Sequence, residues 1–264
     1  MNKEIMVFLK NEKSLVGING GELVSYQVAG YEYMHQKGSP GWRNTDTEMF
    51  PIIGPTNDAN YRVQTPKGDA LQDQHGLLRA LSYEIIEQTA KNAVFLKSYK
   101  AQTLVRNPKF PEKSAQQWLQ WPYDFQFLKT FELGDHSLEI TFTISGERDM
   151  AFMLGYHPAF RLQLSDPKIE TEHQSISLSQ VLSVGSRALH VPNCEQITLR
   201  DKNQLTLSTT GFGSFMLWTE VPNMVCIEPI TFYPYDVHQS RLHNGFQFLG
   251  NAPSVFKVQI SVKT

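Results

Sequence analysis

The chain has 264 residues, 41% of them hydrophobic and 11% aromatic, and its 24 Lys and Arg nearly balance 26 Asp and Glu for a net charge of −2. That is enough apolar material for one large domain or two ordinary ones. The near-balance gives no sign of the basic patch that nucleic acid or an anionic membrane surface would require, so a neutral or weakly charged small molecule is the expected partner.

The first ten residues alternate in polarity, which predicts an opening strand rather than the apolar run of a signal peptide. Gly20-Gly21 marks a turn. Residues 34–73 are poor in strand pattern and rich in Gly, Pro and Asn, as expected of a long functional loop. Weak helical signal allows one turn within residues 71–81 and a short helix at 111–118, opened by Pro111. Period-two alternation then dominates, over residues 94–99, 125–131, 137–144, 204–208, 214–219 and 256–263. Such alternation is the mark of strands buried on one face. Turn residues recur between these strands (Lys67-Gly68-Asp69, Gly134-Asp135, Asn244-Gly245). Many short strands with little helix predict a large antiparallel β-sandwich or barrel. With no linker and no repeat, residues 1–264 read as one domain. The cysteines, Cys194 and Cys226, are far apart and form no CxxC pair. They read as incidental thiols of a reduced, cytoplasmic protein, and no apolar run is long enough to span a bilayer.

Three islands carry the chemistry: Gln74-His75-Gly76, Gly155-Tyr156-His157-Pro158 and Cys226-Ile227-Glu228-Pro229. Each places a group able to hold or release a proton beside a residue that restricts the backbone. Glu228 closes an apolar run, where a carboxylate must be paired or exposed in a cleft to offset its desolvation. His157 is the lone titratable group of an apolar segment. His35, His136, His173, His190 and His238 lack such settings and read as surface or structural, and His243 as a turn residue. There is no HxH, HExxH or cysteine cluster, so no metal site is expected. Phosphate loops, dinucleotide-binding glycine motifs and Gly-x-Ser-x-Gly are also absent.

Taken together the islands resemble the aldose 1-epimerase (galactose mutarotase) family, in its bacterial branch. Gly20-Gly21-Glu22-Leu23 is similar to that family's early turn, and Met49-Phe50-Pro51-Ile52-Ile53-Gly54 to its Phe-Pro-x-x-Gly. His75-Gly76-Leu77-Leu78-Arg79 is similar to His-Gly-x-x-Arg, and Trp121-Pro122-Tyr123-Asp124-Phe125 to an aromatic-Pro element. Gly155-Tyr156-His157-Pro158-Ala159-Phe160 is similar to Gly-x-His-Pro-x-Phe, and Cys226-Ile227-Glu228-Pro229 to its Glu-Pro. The order holds from about residue 15 to 262. The resemblance implies a galactose mutarotase-like supersandwich with a cleft on one sheet. It also implies interconversion of α and β anomers of an aldose, with no cofactor or metal. Glu228 would be the general base at the anomeric hydroxyl, His157 the general acid at the ring oxygen, and His75 a hydrogen-bonding partner near that oxygen. Arg79, Arg62 and Trp42 are the expected substrate contacts, with Phe160 and Tyr233 as further aromatic candidates. The chain departs from the family pattern at Pro55, which follows Gly54 where many relatives carry arginine; either Arg62 would supply that cation or none is needed. Leu77-Leu78 stands where relatives often have Phe-Ala. An unphosphorylated sugar is preferred, and the protein is expected as a monomer or homodimer.

The alternatives are a non-catalytic carbohydrate-binding protein of the same fold, a glycoside hydrolase and a metal-dependent sugar isomerase. The hydrolase would need Asp73 or Asp124 as a second carboxylate.

Overall fold

A computed structural model describes residues 6–263. The opening strand is seen as Met6–Lys10, and the part expected over residues 1–5 lies outside the described residues. It pairs with Ser14–Asn19, which continues through the Gly20-Gly21 turn into Glu22–Val28 and Tyr31–Glu32, making a four-stranded sheet.

Two larger antiparallel sheets follow. The nine-stranded one runs Ser175–Ser177, Lys168–Glu170, Gln196–Arg200, Gln204–Thr210, Ser254–Lys263, Ser137–Gly146, Phe125–Leu133, Asn92–Tyr99 and Glu84–Gln88. The second runs Leu189–Pro192, Ser214–Trp218, Met224–Ile230, Gly155–Tyr156 and Glu48–Met49, with Ala159–Arg161 added beside Met224–Ile230. Each alternating stretch of the sequence is a strand here. Along Phe125–Leu133, residues 125, 127, 129, 131 and 133 point inward and are buried, as a two-residue period requires. Aromatic rings from both sheets meet between them: Phe142 lies 5.1 Å from Tyr156, and Phe127 5.3 Å from Phe50. This is the predicted sandwich. No helix among the described residues is long and apolar enough to cross a membrane.

The helical expectations need correction. Residues 111–118 form no helix: 111–113 make a turn, 114–117 are irregular and Trp118 opens a strand. The Asn107 side chain donates to Ser114 Oγ at 3.2 Å and to the Gln116 carbonyl at 2.9 Å, and its backbone amide donates to the Gln117 carbonyl. Those bonds fold the segment back so that Val105–Arg106 pairs with Trp118–Leu119. The one α-helix among the described residues is Leu178–Val184, where Ser177 and Gln180 close a capping box and Leu178 and Val181 are buried. Within residues 71–81 a single 3-10 turn, Leu78–Ala80, forms as expected. Asn244-Gly245 ends a 3-10 segment, Gln239–Gly245, rather than a strand turn, and His243 lies within it. The loop expected over residues 34–73 contains Glu48–Met49 and the hairpin Arg62–Thr65/Gly68–Leu71.

Candidate active site

The three islands converge on the smaller sheet. Glu228 sits on Met224–Ile230, buried along its whole length and hydrogen-bonded to Ser214–Trp218 on one side and Ala159–Arg161 on the other. His157 bridges Gly155–Tyr156 and Ala159–Arg161, and its backbone exchanges hydrogen bonds with Thr47 at 2.8 and 3.3 Å. Gly155 lets the strands pack closely: a Cβ there would stand 2.4 Å from Met49 Cε, whose flexible tip would have to move aside. His75 adopts φ of 74°, a left-handed conformation that costs a non-glycine residue energy and concentrates at functional positions. Backbone bonds hold it there: His75 N to the Ile53 carbonyl at 3.1 Å and Phe50 N to the His75 carbonyl at 3.2 Å. The next residue is glycine of necessity, since a Cβ on Gly76 would lie 2.2 Å from the Phe50 carbonyl oxygen.

His157 Nε2 lies 3.3 Å from Glu228 Oε1, yet that oxygen is buried and makes no aligned hydrogen bond among the described residues. The imidazole is walled by aromatic rings. Trp42 stacks on it at 4.2 Å, Trp218 meets it edge-on at 5.9 Å, and His75 approaches edge-on at 5.8 Å. Trp42 is held over the site by His35, whose ring nitrogen bonds the Trp42 carbonyl at 2.8 Å.

These dry walls set the proton affinities, because burial disfavours the charged form of either group. Burial pushes His157 down to about 3, and the Arg79 guanidinium pushes the same way. Burial holds the Glu228 carboxyl well above the usual carboxylate range, with Arg79 opposing. His75 is held well below its ordinary value by burial, then by Arg79 and His157. Since its Nδ1 lies 2.9 Å from the Ile53 carbonyl, which can only accept, that nitrogen carries the proton and Nε2 keeps a lone pair. Arg79, on the 3-10 turn after His75, has Nε and Nη2 buried without a hydrogen-bond partner among the described residues, and remains a cation at neutral pH.

An open cleft of about 1070 Å³ adjoins this cluster, lined in part by Gly21, Asp73, Gln74, Gly76, Arg79 and Tyr83. His157 and Glu228 do not line it. They are only 6% and 1% exposed, and Trp42 is the ring stacked on the imidazole.

Of the expected contacts, then, His75, His157, Glu228, Trp42 and Arg79 come together. Arg62 does not: it is exposed on its hairpin 3.6 Å from Asp69, because Val63 takes the inward position and alternation turns Arg62 outward. Phe160 is fully buried core. Tyr233 stacks on His190 at 4.1 Å and donates its hydroxyl to the Ala188 carbonyl. Neither Asp73 nor Asp124 is paired with Glu228: Asp73 is engaged by Asn107 and Lys109, and Asp124 by Lys100.

Sequence reading missed the charges beneath the site. Lys129, fully buried, reaches Asp46 at 2.8 Å and Glu48 at 2.7 Å. Lys97 donates to the Leu78 carbonyl at 3.0 Å, next to Arg79, and lies 3.8 Å from Glu48. The signal was available: both lysines occupy inward positions of alternating strands. Also missed were Trp218 and Cys226. Cys226 is two residues before Glu228 and so on the same strand face.

No curated protein matches the sequence. The chain is similar in fold to a galactose mutarotase-related enzyme from Lactobacillus acidophilus, with TM-score 0.79, 19% identity and 98% of each chain covered. It is similar to a galactose mutarotase-like protein from Lactobacillus casei ATCC 334, with TM-score 0.78, 19% identity and 98% and 100% coverage. A third similar structure is a galactose mutarotase-like protein from Clostridium acetobutylicum, with TM-score 0.72, 13% identity and 99% and 96% coverage. At these identities the likeness concerns the fold. The family model described as Aldose 1-epimerase matches residues 18–210, a span that includes His75 and His157 and stops short of Glu228. With that match over most of its length, the chain belongs to the aldose 1-epimerase family.

Proposed function

We propose that the protein interconverts the α and β anomers of an aldose by general acid–base catalysis at His157 and Glu228. The observation that carries this reading is the 3.3 Å approach of His157 Nε2 to Glu228 Oε1 inside a dry, aromatic-walled site. Mutarotation takes a proton from the anomeric hydroxyl and delivers one to the ring oxygen. The ring opens, the carbon–carbon bond of the aldehyde rotates, and closure on the other face reverses both transfers. Two groups that trade a single proton suit a reaction whose return leg mirrors its outward leg.

Without sugar, burial favours the neutral arrangement, with the shared proton on the carboxyl and a bare imidazole nitrogen. Moving that proton across the pair yields the form in which Glu228 is the base and His157 the acid. The proton count is the same in both forms. Sugar hydroxyls favour the ionised one; the Arg79 cation favours the carboxylate while opposing the imidazolium. His75 Nε2 accepts a hydrogen bond from a substrate hydroxyl. Each well-placed proton donor or acceptor contributes roughly 10²–10⁴ in rate.

To reach the pair from the open cleft, a sugar displaces Trp42 from the His157 face. The near-closure of the pair is the one observation that favours the second reading, a sugar-binding protein of this fold without turnover. One assay separates them. NMR or polarimetry follows the α-to-β relaxation of a panel of freshly dissolved aldoses and aldose phosphates. Acceleration that disappears in Glu228→Gln is the expected result. A sugar that binds but relaxes at its spontaneous rate would establish the binding reading instead.

A further inference from the structure

One side chain beside the acid–base pair has no part in that chemistry. Cys226 is a fully buried free thiol on the same face of Met224–Ile230 as Glu228. Its cross-strand neighbours are Ala159 and Trp218, and Trp42, Trp218 and Val221 pack against the small cluster it forms with Ala159 and Met224. One ligand atom each from His157, Cys226 and Glu228 can be chosen so that all three lie within 4.8 Å of one another. They come from one strand, Met224–Ile230, and from the segment between Gly155–Tyr156 and Ala159–Arg161, all held in one sheet.

We infer that His157, Cys226 and Glu228 form a three-ligand site for a divalent cation of zinc type, whose binding blocks the proton couple. The donor set selects the metal. Thiolate and imidazole favour zinc and cadmium, whereas magnesium and calcium prefer all-oxygen cages. In a tetrahedral zinc site, bonds of about 2.0–2.3 Å place donors on the order of 3.5 Å apart. The donors here therefore need to close by roughly 1 Å, within reach of side-chain rotation. Glu228 Oε1, buried and without an aligned hydrogen bond among the described residues, is an acceptor still open to a ligand. On coordination the Cys226 thiol and the Glu228 carboxyl each lose a proton to solvent, and the metal takes the thiolate, the imidazole lone pair and the carboxylate together. The fourth position is left for water. The couple then has no site from which to lend or accept a proton. Only this inhibitory consequence rests on the proposed mutarotation; the binding does not.

The two parts are tested separately on the folded full chain. Titration with Cd²⁺, followed by the ultraviolet thiolate-to-metal charge-transfer band, should show one equivalent bound. Cys226→Ser and Cys226→Ala should lose the band, with folding checked by circular dichroism, and Cys194→Ser should keep it. Absence of the band, or its loss in the Cys194 variant instead, overturns the site whatever the activity. In the mutarotation assay, Zn²⁺ should inhibit the wild type while Mg²⁺ does not. Cys226→Ser should keep the metal-free rate and need at least about tenfold more Zn²⁺, in line with the loss of one ligand. Equal Zn²⁺ sensitivity in that variant also overturns it. A cadmium band in a protein with no mutarotation would leave the metal site standing and remove the proposed function.

Discussion

Two sets of ionisable groups are buried within this sandwich, and they resolve the same physical problem in opposite ways. Beneath the site, burial alone would raise Glu48, but the ammonium groups of Lys129 and Lys97 outweigh it and hold that carboxyl below its ordinary range. Burial would likewise lower Lys129, but Asp46 and Glu48 hold it up. Asp46, less well compensated, is raised to about 6 by burial, and Lys97 is lowered to about 8. In the site itself no opposite charge stands against His157 and Glu228 strongly enough to offset desolvation, and both are driven toward neutrality. Paired ions fix geometry. An uncompensated acid and base, side by side, are both left neutral. The charged layer also supports the neutral one: Glu48 lies on the strand paired with Gly155–Tyr156, just before His157, and Lys97 grips the carbonyl that precedes Arg79.

The comparison can be broken most sharply at Glu228. In Glu228→Gln, anomer relaxation should slow by roughly 10²–10⁴-fold, about 3–5.5 kcal/mol at 1.36 kcal/mol per decade. Unfolding stability at neutral pH should not fall, since a carboxyl kept neutral in the fold against its ordinary value is replaced by a neutral amide. Large destabilisation in urea would mean that the carboxylate is an ion of the lower layer's kind. Lys129→Met should do the reverse to the fold. It strips Asp46 and Glu48 of their shared cation and should cost about 3–5 kcal/mol in the same urea experiment. A neutral outcome would show the lower layer to be dispensable.

Acid should separate the layers next. His157 is held below its unfolded value, so the folded state binds fewer protons there than the unfolded chain does. Its contribution is complete above about 6.5 and is lost as pH falls toward about 3. Glu228 has the opposite sign: its contribution is complete below its ordinary value of 4.5 and declines as pH rises above it. Unfolding free energy measured from pH 6.5 to 3 should therefore fall less steeply in His157→Asn than in the parent, and an unchanged slope would refute neutral burial of the imidazole. The smallest effect concerns the cap. Trp42→Ala should wet the imidazole and raise its proton affinity, seen as an upward move in its NMR titration. No movement would mean that Trp218 and the sheet alone keep the site dry.

Much of the molecule was legible from residue order. Strands such as Phe125–Leu133 and Ser254–Lys263 are visible because one buried face imposes a two-residue period. The helix expected at residues 111–118 failed because a proline start carries little weight without an apolar stripe behind it. The real helix was announced by Ser177 and Gln180, spaced as a capping box. The candidate site was half legible. His75, His157 and Glu228 stand out because a titratable group in an apolar run must be accounted for. Arg62 was misplaced, since a missing cation tells nothing of which arginine points inward. Cys226 looked incidental, because its closeness to His157 exists only across strands.

Residue order by itself settles the strand-rich class, the alternation that gives each strand its inner face, and the identity of the groups able to move a proton. Those follow from local periodicity and from the cost of burying charge. Which groups meet, and in what protonation state, depends on distances between residues far apart in the chain. Lys129 finds Asp46 and Glu48, while His157 finds Glu228 under Trp42. Desolvation and Coulomb attraction depend on that three-dimensional neighbourhood, and only the packed sheets create it.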